Sequence, residues 1–139
     1  MLCKSLAIFL QCSAMKNKWI LFFPVLLLAC TKPQQQITCS LPVTVSYSND
    51  VQTIFNTQCA TSGCHTGSSP TGNLNLSTGN SYAQLSKKGS GYIDTITPTN
   101  SLLYAQMNSS SSPMPPSGKL DDCKIQLVLK WLQQKARNN

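Results

Sequence analysis

Acid–base side chains are scarce in this sequence. It has one histidine and four acidic residues among 139 positions. General acid–base and nucleophilic catalysis need a histidine, a carboxylate or a comparable base beside the reacting group. The sequence offers no second histidine and no Ser/His/Asp arrangement, so we expect that the protein is not an enzyme.

Clustered positive charge is also missing. The formal net charge is +7, but the lysines are scattered and aromatic residues make up only 7% of the chain. Nucleic-acid-binding domains usually carry a basic stripe with interleaved aromatic residues, so we expect no nucleic-acid partner. The scattered lysines leave two interpretations open, a solvated surface and docking onto an acidic partner.

The N-terminal apolar segment, residues 19–29, is shorter than the roughly 20 residues that a membrane span needs. Lys16 and Lys18 precede it, which is typical of a secretory signal peptide. We predict a signal peptide over residues 1–29, with an uncleaved anchor helix as the alternative. A signal starting at Met15 has the expected length, so residues 1–14 look like an extension upstream of the true start.

A more specific pattern ends this segment. Residues 27–30, Leu-Leu-Ala-Cys, resemble the lipobox of bacterial lipoproteins, in which the cysteine is lipidated and begins the mature protein. Its acyl chains bury tens of CH₂ groups at about 0.8 kcal/mol each. The resemblance implies that Cys30 anchors an exported protein to a bacterial cell membrane, on the periplasmic or cell-surface side. Residues 30–45 are then the lipidated cysteine and tether, and residues 46–139 form one domain.

Seven cysteines are an odd number for an exported protein. Cys3 and Cys12 lie in the predicted signal peptide, and Cys30 is the predicted lipid site. The domain and its tether therefore keep an even number of cysteines, which are Cys39, Cys59, Cys64 and Cys123.

Helical periodicity marks both ends of the domain. The first helix is predicted to begin at Ser48 or Asn49, either of which is a suitable N-cap. It presents three apolar residues on one face and runs into the cysteine pair; these residues are Val51, Ile54 and Phe55. The last helix follows Asp121, with apolar residues at positions i, i+3, i+4 and i+7, namely Ile125, Val128, Leu129 and Leu132.

The middle of the domain favours short helices and long loops. Residues 66–80 are rich in Gly, Ser, Thr and Asn, which is typical of a loop. Short helices are predicted at residues 81–88 and 101–107, the second capped by Asn100. The prolines in residues 109–117 exclude a helix interior. No segment shows sustained alternation of polar and apolar residues, so we expect an all-α fold of three to four short helices.

Residues 59–65 read Cys-Ala-Thr-Ser-Gly-Cys-His and contain the sole histidine. The haem c attachment signal is Cys-x-x-Cys-His; here four small residues separate the cysteines, a known minority variant. In such a signal the two thiols form thioethers with the haem vinyl groups, and the histidine binds the iron. Two alternatives are a Cys59–Cys64 disulfide and a zinc site, which would need a fourth ligand from Cys39 or Cys123.

Around this motif the chain resembles small bacterial single-haem cytochrome-c-like lipoprotein domains. The resemblance extends over residues 47–137, nearly the whole domain. It rests on several short patterns in the expected order, which are residues 50–55 leading to Cys59, residues 72–76 and 82–85, residues 100–104 followed by Met114-Pro115-Pro116, Leu120, and residues 125–132.

The resemblance implies a class I cytochrome c fold, in which the first and last helices cross and long loops surround one covalently attached haem c. Phe55 and Trp131 are then candidates for the crossing contact and the haem wall. The implied function is transfer of single electrons between redox partner proteins by a monomer. The alternatives are a lipoprotein stapled by two disulfides without haem, and a haem-based sensor with a weak or absent sixth ligand.

Two further assignments follow from the remaining residues. A single histidine excludes bis-His ligation, so a methionine is the expected sixth ligand. Met107 lies on a predicted helix, where an apolar side chain usually packs in the core. We therefore assign Met114, which lies between two prolines and in the stretch where the resemblance places the distal ligand.

Once haem takes Cys59 and Cys64, the other two cysteines of the domain and tether, Cys39 and Cys123, are predicted to form a disulfide.

Overall fold

The computed structural model of this protein describes residues 38–139. The predicted signal peptide, residues 1–29, and the predicted lipid site, Cys30, lie outside the described residues. None of the helices in residues 38–139 is long and apolar enough to cross a membrane.

Four helices with long connections make up the described part of the chain. The first helix is continuous and consists of a π-helical turn, Tyr47–Val51, the α-helical turn α1, Gln52–Ile54, and a second π-helical turn, Phe55–Cys59. The other helices are α2, Ser81–Leu85, α3, Leu102–Asn108, and α4, Asp122–Gln133. Short 3₁₀ turns occur at Thr71–Asn73 and Pro98–Asn100. Residues 38–139 contain no β-strand, so the predicted all-α class is confirmed.

The first helix begins at Tyr47, and the predicted N-cap, Ser48 or Asn49, is wrong. Ser46 caps the helix instead, because its hydroxyl accepts a hydrogen bond from the Asn49 backbone N–H at 3.2 Å. The Asp50 carboxylate in turn accepts from the Ser46 N–H at 2.8 Å. This reciprocal pair satisfies two backbone donors at the helix start, and it places the start earlier than the apolar spacing alone indicates.

Helix α4 contributes four buried residues to the core. Asp121 is its N-cap as predicted, and its carboxylate accepts from the Lys124 N–H at 2.9 Å. The predicted apolar face is largely confirmed, although Leu129 is only half-buried and Trp131 is fully buried. The buried residues of α4 and of the first helix belong to one hydrophobic cluster, which includes Val51, Ile54, Phe55, Ile125, Val128, Trp131 and Leu132.

The two short middle helices differ slightly from the prediction. Helix α2 ends at Leu85, before Lys87 and Lys88. Helix α3 is preceded by Ser101 rather than Asn100 at its N-cap position, but the Ser101 hydroxyl does not cap the helix, since it bonds to the backbone of Asp94. Met107 on α3 is 2% exposed, which confirms its predicted place in the core.

The C-terminal residue contacts the start of the first helix. The Asn139 carbonyl accepts from the Ser48 N–H at 2.9 Å and from the Ser46 hydroxyl at 3.1 Å. Its side-chain oxygen accepts from the Tyr47 N–H at 2.9 Å. Asn139 therefore satisfies backbone donors that every helix leaves unpaired in its first turn.

Candidate functional site

The first helix delivers Cys59 to the site, and a tight loop returns the chain to it. The loop closes where the His65 N–H donates to the Cys59 carbonyl at 3.1 Å and the Cys64 N–H donates to the Thr61 carbonyl at 3.0 Å. Gly63 turns the loop with φ +78°, a conformation that side chains with a Cβ rarely adopt. The small residues between the cysteines thus bring Cys59 and His65 back together.

Both cysteines of the motif are free thiols. Cys59 and Cys64 are half-buried, and neither forms a disulfide within residues 38–139. Burial raises the pKa of the Cys59 thiol to about 11, and the neighbouring Cys64 adds to the rise. Cys59 is therefore a neutral thiol near neutral pH, available for covalent attachment but a weak nucleophile without assistance.

The His65 ring is held by one of its two nitrogens. Its Nδ1 atom lies 3.1 Å from the Leu74 carbonyl oxygen. A carbonyl can only accept a hydrogen bond, so Nδ1 carries the proton in the neutral ring and donates it. The Nε2 atom has no hydrogen-bond partner among residues 38–139, which leaves its lone pair free to bind a metal.

A small cavity lies between the motif and the proline-rich loop. Its volume is about 150 Å³, and its wall is mainly apolar. It brings the Cys59–His65 motif together with Pro115 and Pro116 from residues 109–117, a segment that forms a loop as predicted. Met114 is half-buried and precedes the two prolines, but it does not line this cavity.

The residues of the site fit a covalently attached haem. Two free thiols can form thioethers, and the oriented imidazole next to them can bind iron. Pockets that enclose a ligand are usually about 300–1,000 Å³, which exceeds the 150 Å³ cavity. A haem held by Cys59, Cys64 and His65 would therefore extend beyond the cavity.

Neither Cys39 nor Cys123 is available as the fourth ligand of a zinc site. Cys39 and Cys123 are joined to each other by a disulfide with a Cα–Cα distance of 5.4 Å. Within residues 38–139, no three His, Cys, Asp or Glu side chains lie close enough together to hold a metal ion. The disulfide alternative for Cys59 and Cys64 gains no support either, since both are free thiols.

Sequence reasoning missed two glutamines that hold the segment next to His65. Gln52 is 5% exposed, and its amide donates to the Leu76 carbonyl at 2.9 Å. Gln84 accepts from the Asn75 N–H at 2.8 Å. Gln52 lies beside the predicted apolar face of the first helix rather than on it, so no sequence signal marked either Gln52 or Gln84.

One comparison with known proteins bears on this region. A family model described as Planctomycete cytochrome C matches residues 62–118. The matched segment is less than half of the chain; it begins after Cys59 and includes Cys64, His65 and Met114. Neither a search of curated proteins nor a search of solved structures finds a match. The family match and the helical structure support a cytochrome-c-like domain.

Proposed function

We propose that residues 46–139 form an electron-transfer domain that carries one haem c. Cys59 and Cys64 attach it through thioether bonds, and His65 binds the iron. The observation that carries this proposal is the pair of free thiols beside a histidine whose Nδ1 is held by Leu74 and whose Nε2 has no hydrogen-bond partner among residues 38–139. When bound, the haem supplies one-electron redox chemistry.

The chain's own residues give this site three properties. The loop from Cys59 to His65 fixes the attachment points, since its ends are joined by the His65–Cys59 backbone hydrogen bond of 3.1 Å. The Leu74 carbonyl orients the imidazole. Pro115 and Pro116 line the cavity together with the motif and add apolar surface to its wall.

Met114 is the proposed sixth ligand. Met107 and Met114 are the two methionines within residues 38–139. Met107 is buried in the core at 2% exposure, so moving it to the site would open a cavity. Met114 lies in the loop that faces the motif, and its N–H donates to the Gln106 carbonyl at 3.0 Å, which ties this loop to α3.

A coordinatively saturated iron suits electron transfer rather than substrate chemistry, so we propose that the domain is not an enzyme. Its partners are then redox proteins. We also propose export and anchoring through Cys30, since the lipobox-like residues 27–30 support it. Five basic residues form no salt bridge within residues 38–139, although Lys135 donates to the Thr95 carbonyl at 3.2 Å. We propose that these residues supply the positive charge for docking; they are Lys87, Lys88, Lys130, Lys135 and Arg137.

The test is covalent attachment in the full chain, produced in a host that attaches haem c. The wild-type protein should be red, keep its haem through acid–acetone extraction and exceed the polypeptide mass by one haem. Cys59→Ser and Cys64→Ser should each weaken or abolish this retention, whereas the double substitution Cys39→Ser with Cys123→Ser, which removes the disulfide and leaves both motif thiols, should retain haem. Complete extraction of haem from the wild type contradicts the proposal.

A further inference from the structure

One peptide bond connects α2 to the histidine of the site. The Leu74–Asn75 peptide accepts a hydrogen bond from His65 Nδ1 at its carbonyl, at 3.1 Å. The N–H of the same peptide, on Asn75, donates to the Gln84 side-chain oxygen at 2.8 Å. Two hydrogen bonds in series therefore join the Gln84 side-chain oxygen, the Leu74–Asn75 peptide and the His65 ring.

The short segment that contains this peptide, residues 74–77, is fixed at several other points; we call it the strap. The Leu76 N–H donates to the His65 carbonyl at 2.8 Å, so the strap contacts both the ring and the backbone of His65. Gln52 from the first helix donates to the Leu76 carbonyl at 2.9 Å. The Ser77 N–H donates to the Asn75 side-chain oxygen at 2.9 Å. The peptide that faces His65 therefore has little freedom to rotate.

Gln84 lies where it can be changed without opening the core. It is half-buried on α2, and its side chain lines a surface groove with Lys87 and Lys88. Among residues 38–139, its amide oxygen is the partner of the Asn75 N–H. Substitution at Gln84 thus alters a hydrogen bond to the strap while the buried residues of the first helix and α4 stay in place.

We propose that Gln84 is a positioning residue that sets the strength of the hydrogen bond between the Leu74 carbonyl and His65. Hydrogen bonds in a chain polarise one another. An acceptor on the Asn75 N–H makes the Leu74 carbonyl a stronger acceptor for the His65 proton. Strengthening this bond raises the basicity of Nε2. This inference rests on the proposed function, since it concerns the iron ligand.

Two substitutions at Gln84 are expected to act in opposite directions. Gln84→Glu keeps an acceptor oxygen and adds negative charge, which should strengthen the His65 hydrogen bond and lower the reduction potential of the haem-loaded full chain. Gln84→Met keeps the side-chain length and removes the acceptor, so the potential should rise. A more basic iron ligand favours the oxidised iron and so lowers the reduction potential. The potential should therefore fall in Gln84→Glu and rise in Gln84→Met.

Gln133→Glu is the control for charge, because Gln133 is exposed on α4 and the substitution makes the same charge change. It should shift the potential less than Gln84→Glu does. If Gln84→Met and Gln84→Glu move the potential to the same side of the wild type, or leave it unchanged, Gln84 has only a structural role and the inference is wrong.

A second measurement separates this inference from the proposed function. His65 is the only histidine, so its ring nitrogens give unambiguous NMR signals in the full chain without haem. In Gln84→Met the ratio of the Nδ1–H to the Nε2–H tautomer should fall, at most about fivefold, which corresponds to a hydrogen bond of about 1 kcal/mol. If the wild type attaches no haem, the proposed function fails, and the tautomer ratio alone then tests the role of Gln84. A ratio that is the same in the wild type and in Gln84→Met overturns that role.

Discussion

Tyr47 and Trp131 contact each other with their ring centroids 5.1 Å apart. Tyr47 begins the first helix, and Trp131 is fully buried on α4. Tyr82 from α2 joins them, at 5.0 Å from Tyr47 and 6.5 Å from Trp131. Three helices therefore meet at one aromatic cluster, and the position of the helix that carries Cys59 depends on it.

Loss of the Trp131 ring should destabilise the domain. Trp131→Ala removes a fully buried side chain and should lower the free energy of unfolding by about 3–5 kcal/mol, measured by urea denaturation. Tyr47→Phe is the control, because it keeps the ring contact and removes only the 2.6 Å hydrogen bond to Ser81, at about 1 kcal/mol. Equal effects of the two changes would show that the ring contact contributes little.

The two methionines should separate ligation from packing. Met114→Ala should open the sixth position, lower the reduction potential and abolish the weak near-infrared sulfur-to-iron band of the haem-loaded protein. Met107→Ala should keep the band, while the loss of a side chain that is 2% exposed lowers the free energy of unfolding by about 2–5 kcal/mol. Loss of the band in Met107→Ala alone would contradict the assignment of Met114.

The disulfide between Cys39 and Cys123 should stabilise the folded domain. It joins residues 84 positions apart, and closing a loop of that length contributes at most about 4–5 kcal/mol through the entropy of the unfolded chain. The double substitution Cys39→Ser with Cys123→Ser should lower the free energy of unfolding accordingly, and a reductant should then have no further effect. Alkylation of both cysteines in unreduced wild-type protein would show that the bond is absent.

The buried Cys59 thiol predicts a pH dependence in protein made without haem. Its pKa is about 11 in the folded chain, against an ordinary value of 9.0, so between these values the folded state binds more protons than the unfolded state. Stability should therefore be fully present below pH 9 and decrease as the pH rises from about 9 to about 11. Thermal denaturation across this range measures the decrease, and Cys59→Ala should reduce it. An equal decrease in Cys59→Ala would assign the effect to other groups.

The features that sequence reasoning predicted well depend on neighbours within a few positions. The N-cap role of Asp121 and the buried face that contains Ile125 and Val128 follow from spacing along one helix. The core position of Met107 follows from the same periodicity. Such patterns are visible in a single sequence because the interacting groups are three or four residues apart.

The features that sequence reasoning missed depend on backbone groups or on distant residues. The partner of His65 is a carbonyl oxygen, and every residue has one, so nothing in the sequence marks Leu74. Gln84 on α2 accepts a hydrogen bond from the Asn75 N–H, and Gln52 on the first helix donates one to the Leu76 carbonyl. Both partners lie in the loop between these helices. The start of the first helix was misplaced for a related reason, since the choice of Ser46 over Ser48 depends partly on Asn139.

The contacts of Asn139 also bear on the order in which the domain is completed during synthesis. A chain that emerges from its N-terminus presents Cys59 and Cys64 long before Asn139 exists, and until then the donors at Tyr47 and Ser48 lack the partners that they have in the finished fold. The turn that begins the helix ending in Cys59 is therefore completed only after both thiols have been synthesised.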